Sequence, residues 1–215
     1  MADSSAAPVE TAGQDPAAPA ATPDAPATPD ASTQPAPNTA AAPAPYLSSA
    51  GTSTIAVTPS LAGAGLRING GTEPASYALA TYQVNTGAMR ATAEFTVSPA
   101  AGAAFTYALT GSGGGYSSRN LRLQRVPGSD QLQAVSTTGA VNCGHLPAGQ
   151  PTQVTLSFDG AAHTFDVLLN GAQTPCTDLV TRVSGPAVGF RVSDETIAGY
   201  GGRVDFSNLT LFGAP

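Results

Sequence analysis

Between Thr152 and Gly171 the chain reads TQVTLSFDGAAHTFDVLLNG, and no other stretch restricts its fold as tightly. Val154, Leu156 and Phe158 alternate with Thr155 and Ser157; after Asp159-Gly160-Ala161-Ala162 the alternation resumes, with Phe165, Val167 and Leu169 set against Thr164 and Asp166. A repeat of two residues places one set of side chains on one face of an extended strand, whereas a helix would scatter the same residues around its axis. Asp-Gly between the two halves is a favoured turn pair, because glycine tolerates the positive φ that tight hairpin turns demand. The stretch therefore predicts a two-stranded antiparallel hairpin with one buried face, and Asn170-Gly171 marks a further turn.

Shorter segments with the same alternation run through the chain from residue 51. Ser53–Thr58, closed by Pro59, and Leu66–Asn69 are expected strands. Tyr77–Val84 is a third, whose large residues change parity midway and so suggest a bulge or burial on both faces. Ala91–Val97 and Phe105–Leu109 follow and are expected to pair with each other. Leu121–Val126 and Gln131–Ser136 flank Pro127-Gly128 as another hairpin. Ala140–Cys143, Ala187–Val192 and Arg203–Phe212 complete the set, the last with a one-residue bulge near Ser207-Asn208 that keeps its apolar side chains on one face. No amphipathic helix of ten or more residues is evident. Many short strands with frequent turn signals predict an all-β fold, an antiparallel β-sandwich or jelly roll.

The first 50 residues follow other rules. They hold ten of the 19 prolines, are otherwise mostly Ala, Thr, Ser, Asp and Gln, and repeat Ala-Thr-Pro-Asp. With almost no large apolar side chain to offset roughly 1–2 kcal/mol of backbone ordering per residue, residues 1–50 read as a disordered Pro/Ala-rich tether, and residues 51–215 as the folded domain. Five of the 14 acids fall in the tether, while all eight basic residues are arginines of the domain, so the acidic pI belongs to the tether. The arginines are scattered apart from Arg119, Arg122 and Arg125, which excludes a phosphate-tracking stripe for nucleic acid. No run of about 18 apolar residues is present, so no membrane-spanning segment is expected. The two cysteines, Cys143 and Cys176, bracket the central hairpin and are expected to form a disulfide. That bond, with the Pro-rich leader, points to a secreted, periplasmic or cell-surface protein, and the lysine-free, alanine-rich composition points to a bacterial cell envelope.

The hairpin with its acidic turn, Gly189-Phe-Arg-Val192 and the closing Gly202-Arg-Val-Asp-Phe-Ser-Asn-Leu-Thr-Leu211 together resemble the latter half of concanavalin A-like lectin/glucanase domains of the laminin-G-like kind. The resemblance implies a sandwich that binds polysaccharides or glycoproteins, in some members with calcium, and in others with glycoside hydrolase or lyase activity. Calcium would draw its oxygens from Asp159, Asp194, Asp205 and Asn208, yet no loop has the dense Asp/Asn/Gly spacing of a dedicated cage; the residues by themselves imply no cofactor.

Catalytic signatures are absent from the sequence. Closely spaced strand acids, needed to flank one glycosidic bond, do not occur: Asp194-Glu195 would diverge on a strand and Glu94 stands alone. A lyase-like set of His145 or His163, Tyr200 and Arg191 has nothing in the sequence to converge it. Non-catalytic recognition of an extracellular glycan is the first reading, with a structural cell-envelope component making protein contacts and a polysaccharide-degrading enzyme as alternatives. Sugar recognition asks for exposed aromatic rings and planar polar groups, and two loop tyrosines offer them. Tyr116 and Tyr200, with Arg119, Asn120, Asp194 and Glu195, are the expected ligand-binding rim.

Overall fold

The computed structural model describes residues 44–61, 63–113, 120–195 and 201–214. Within them the chain forms two antiparallel sheets and no helix. The seven-stranded sheet runs, in spatial order, β1 (Tyr46–Ala50), β4 (Tyr77–Gln83), β14 (Ser184–Glu195), β6 (Phe105–Gly113), β7 (Asn120–Arg125), β8 (Gln131–Ser136) and β9 (Gly139–His145). The eight-stranded sheet runs β12 (Ala172–Gln173), β11 (Thr164–Leu169), β10 (Thr152–Asp159), β5 (Arg90–Pro99), β15 (Gly202–Ala214), β3 (Ala64–Gly70) and β2 (Thr54–Thr58), with β13 (Leu179–Val180) beside β11.

The organising hairpin forms as its alternation requires. Val154 pairs with Leu169 and Phe158 with Phe165, so Val154, Leu156, Phe158, Phe165 and Val167 are all buried on one face. Its turn is tied by the Asp159 carboxylate, which accepts hydrogen bonds from the amides of Ala161 and Ala162 at 2.9 Å each. At the far end Asn170 and Gly171 both take positive φ, 50° and 75°, the requirement of a tight turn into β12 that few other residue pairs meet.

The inward faces of the two sheets meet in a single core, crossed by a line of aromatic rings. Tyr82 stacks on Phe190 at 4.4 Å, Phe190 on Tyr107 at 5.5 Å and Tyr107 on Phe95 at 4.6 Å, which carries the stack from the seven-stranded to the eight-stranded sheet. Phe206 continues it against Phe95 and Phe105. The hydroxyls of Tyr82 and Tyr107 are buried without a hydrogen-bond partner among the described residues; desolvation pushes the Tyr82 phenol up to about 12 and that of Tyr107 higher still, so both stay neutral.

Several expectations are corrected. β5 and β6 do not pair: they lie in different sheets and face each other across the core, because Phe95 and Tyr107 are both inward and stack. β4 needs no bulge. Ala78, Ala80 and Tyr82 fill its inward positions, leaving Tyr77 and Leu79 on the outer face. The small alanines had hidden the true parity. Folded structure also begins before residue 51, since Tyr46–Ala50 forms β1 and pairs with β4. The expected tether otherwise lies outside the described residues. By contrast, the bulge in β15 is present: register shifts fall between Phe206 and Leu209 and between Ser207 and Thr210, with Asn208 at φ 56°. Ser60 clamps it, its hydroxyl donating to Asn208 Oδ1 at 2.9 Å and accepting from the Asn208 amide at 2.8 Å.

Cys143 and Cys176 are bonded. Cys143 lies on β9, the edge of the seven-stranded sheet, and Cys176 follows β12 at the edge of the eight-stranded sheet, so the bond ties the two layers rather than two neighbours in one sheet. The Arg122–Arg125 part of the arginine cluster is split by strand alternation. Arg122 points outward, whereas Arg125 is buried and donates to the carbonyl oxygens of Ala103 and Leu146.

Candidate functional site

Strand alternation gives the seven-stranded sheet an outer face of unusual composition. Register aligns Tyr46, Thr81, Arg191, Ala108, Arg122 and Val135 in one row across β1, β4, β14, β6, β7 and β8. The neighbouring row is Ser48, Leu79, Ser193, Thr106, Gln124 and Gln133. Among the described side chains of this face, from β1 to β7, the only charged ones are the two arginines. The rest are hydroxyls, amides and small apolar groups, with Gln124 donating to Gln133 at 3.3 Å.

A groove of about 680 Å³ opens at the β1 end of these rows, lined by Tyr46, Ser48, Tyr77, Leu79, Arg191 and Ser193 among others. Tyr46 is 74% exposed and Tyr77 40% exposed. The Tyr77 hydroxyl lies 3.3 Å from Ser48 Oγ, which fixes one ring against the strand beside it. The two phenol rings offer flat apolar faces, and Ser48 and Arg191 offer hydrogen-bonding groups in the same groove, whose floor includes the buried Ser193. That volume lies in the range of small-ligand sites, where a few placed polar groups set orientation within a largely apolar lining. Sequence reasoning misses this pair, because the tether drawn to residue 50 includes Tyr46, and the change of parity in Tyr77–Val84 reads as a bulge or burial on both faces. One signal was available: Tyr46-Leu47 are the first large nonpolar side chains after a run of small and polar residues.

The expected rim fares differently. Tyr116, Arg119 and Tyr200 lie outside the described residues. Asn120 and Glu195 sit on β7 and β14, and nothing is described of their side chains. Their backbone positions are well apart: Asn120 aligns through Thr110 with Gly189, six residues along β14 from Glu195, or roughly 20 Å at strand rise. Glu195 pairs instead with Tyr77, beside the groove. Asp194 is turned inward by alternation and is 1% exposed. Its Oδ2 accepts from the Ser53 hydroxyl at 3.1 Å, and Ser53 in turn accepts from the Gly71 amide at 2.8 Å. Gly70 makes room for the carboxylate, since a Cβ there would stand 2.6 Å from Asp194 Oδ2. Asp194 thus secures the β1–β2 and β3–β4 turns and cannot face a ligand on the rim. Its placement corrects the expectation.

The oxygen donors considered for calcium are separated and engaged. Asp159 holds its turn and pairs with Arg90 at 2.9 Å; Asp205 pairs with Arg67 at 2.6 Å and Arg203 at 2.5 Å; Asn208 serves the bulge. Among the described residues no group of three or more His, Cys, Asp or Glu could hold a metal. His145 pairs with Asp130 at 3.0 Å on the surface, and its neighbour Cys143 is committed to the disulfide.

These ion pairs predict how the fold responds to acid. The Ala162 amide and then Arg90 hold the Asp159 carboxyl below its ordinary range, and hydrogen bonding to His145 does the same for Asp130. For Asp205 partial burial works the other way, but Arg203 and Arg67 outweigh it and the carboxyl is also lowered. A carboxylate lowered in the folded state stabilises fully above its unfolded value, about 3.9 for Asp, and loses that contribution as pH falls through the folded value. The melting temperature is therefore expected to be level above about pH 5 and to fall steadily below about pH 4. Asp205→Asn should reduce stability at neutral pH by roughly 1 kcal/mol, since both partners are partly exposed, and flatten the acid limb. An unchanged melting temperature from pH 7 to pH 2 contradicts this account.

No protein-family model and no curated protein sequence matches the chain. Solved structures do. A sialidase aligns with a TM-score of 0.58 at 13% identity, covering 81% of this chain, which spans only 19% of that protein's length. The cellulose induced protein Cip1 aligns with a TM-score of 0.55 at 12% identity, covering 80% of this chain and 94% of its own. The carbohydrate binding module CBM66 from Bacillus subtilis aligns with a TM-score of 0.46 at 10% identity, over 78% of this chain and 95% of its own. At such identities the likeness is one of fold, and that fold is the concanavalin A-like β-sandwich that the closing hairpin and last strand resemble.

Proposed function

We propose that the chain is a non-catalytic, lectin-like carbohydrate-binding module, and that it takes an extracellular glycan on the outer face of the seven-stranded sheet. The observation that carries this reading is the groove flanked by the exposed rings of Tyr46 and Tyr77 and lined also by Ser48 and Arg191. Pyranose rings present an apolar face that packs on a phenol ring and an equatorial rim of hydroxyls that needs donors and acceptors; the groove offers both. Support of a second kind comes from the sialidase and the cellulose induced protein, which share the fold and whose names involve carbohydrate. The disulfide fits a secreted, periplasmic or cell-surface location.

A binding role is favoured over hydrolysis because most glycoside hydrolases flank the scissile bond with two carboxylates, about 5–9.5 Å apart, and none of the described residues lining the groove is an acid. Binding to a panel of soluble polysaccharides tests the reading. Tyr46→Ala and Tyr77→Ala should each weaken binding about tenfold, or roughly 1.4 kcal/mol, with the melting temperature unchanged. Full binding by both variants removes the groove from consideration. Cleavage of a bound polymer would transfer the reading to a degrading enzyme, and failure to bind any glycan would favour a structural envelope component.

A further inference from the structure

We propose that the ligand of this face is an acidic polysaccharide, laid across the strands so that its carboxylates meet Arg191 and Arg122. The inference rests on the glycan reading above and adds the ligand's charge and direction.

The arginines of the two sheets are treated differently. On the outer side of the eight-stranded sheet, Arg67 and Arg203 share Asp205 and Arg90 is matched by Asp159. On the seven-stranded sheet Arg191 and Arg122 have no carboxylate partner among the described residues, and both stand on the outer face. A guanidinium presents a planar fork of donors that matches a carboxylate with two parallel hydrogen bonds, a geometry a neutral hydroxyl cannot satisfy. Two such forks on a face whose other described side chains are uncharged are a specific demand for anions. The chain as a whole carries a formal charge of −6, so attraction of a polyanion to this strip is local and does not follow from net charge.

Register fixes the direction. Arg191 and Arg122 occupy one cross-strand row with Ala108 between them, so their backbones stand two strand spacings apart, roughly 10 Å. That is about the length of a disaccharide, so a polymer crossing the strands could present a carboxylate to each guanidinium. Between them the described row holds Ala108, whose side chain is a single methyl. The next row adds the half-buried Thr106 hydroxyl and the Gln124 amide along the same path. The path ends at the groove where the Tyr46 and Tyr77 rings are exposed.

The test uses the full chain with polygalacturonate, alginate and hyaluronate, each beside its own carboxyl-reduced, neutral form. The expected result is that at least one polyuronate binds and that its reduced form binds at least tenfold more weakly. Arg191→Gln and Arg122→Gln should each weaken the acidic polymer about tenfold while leaving the reduced polymer unaffected, and Arg191→Lys should recover part of the loss. If a melting-temperature shift shows that Arg191→Gln disturbs the sheet, the Arg122 variant at its exposed position decides alone. Equal binding of acidic and reduced polymers, or of wild type and both Arg→Gln variants, overturns the inference. In that event continued sensitivity to Tyr46→Ala leaves the glycan reading intact, whereas absence of binding to either form overturns both. A single-stranded oligonucleotide that competes as well as the polyuronate would also overturn it, by showing attraction to any polyanion.

Discussion

Reducing the Cys143–Cys176 bond, or replacing both cysteines by serine, is expected to lower the unfolding free energy by roughly 3–4 kcal/mol. The two cysteines are 33 residues apart in sequence, and the closed loop contains β10, β11 and β12, so the bond removes many conformations from the unfolded chain. Position adds to length. At one side of the sandwich β1 and β2 are joined through the short segment 51–53, which ties the two sheets covalently. At the other side the edges are β9 and β12, and the disulfide is what joins them there. Both sulfurs also approach the Val141 carbonyl, within 3.8 Å and 3.6 Å. For a domain of this size the melting temperature should fall on the order of 10 °C. Thermal unfolding with and without a reductant measures it, and coincident curves for oxidised and fully reduced protein contradict the expectation.

Phe95→Ala is expected to cost about 3–5 kcal/mol, the range for deleting a large aromatic side chain from a packed core. Phe95 is 1% exposed and is where the two layers meet: it stacks on Tyr107 of the opposite sheet at 4.6 Å and contacts Phe206 of its own at 6.0 Å. Its removal leaves a cavity that neither sheet can close, because each backbone is held by pairing on both sides, β5 between β10 and β15 and β6 between β14 and β7. The control is Val57→Ala on the edge strand β2, 56% exposed, which should change stability by less than about 0.5 kcal/mol. Urea titration of both variants distinguishes them. A loss below 1 kcal/mol at Phe95 would mean that the stack does not hold the layers together.

Legibility in the sequence tracked how local the determining interaction is. The hairpin at Thr152–Leu169 could be read because its alternation, turn residues and pairing partner all lie within twenty residues, and the bulge at Ser207-Asn208 because apolar parity breaks inside a single strand. Tyr77–Gln83 was misread for the opposite reason. Alanine is as compatible with a core as tyrosine is with a surface, so only the opposing layer reveals that Ala78 and Ala80 face inward and Tyr77 faces out. The pairing of β5 and β6 was lost similarly: two amphipathic neighbours in sequence can lie side by side or face to face, and alternation is the same in both.

Residue order by itself thus determined the all-β class, the central hairpin, the closing bulge and the cysteine pair, since each follows from backbone preference and side-chain parity over a short span. Only the tertiary structure decided that the disulfide joins two layers, that Asp194 is buried beneath Ser53, and that Tyr46, Tyr77, Arg191 and Arg122 share one face. Those four come from four strands far apart in the chain, and strand order in a sheet is set by which faces bury best against the opposite layer, a property of the assembled sandwich that no single segment contains.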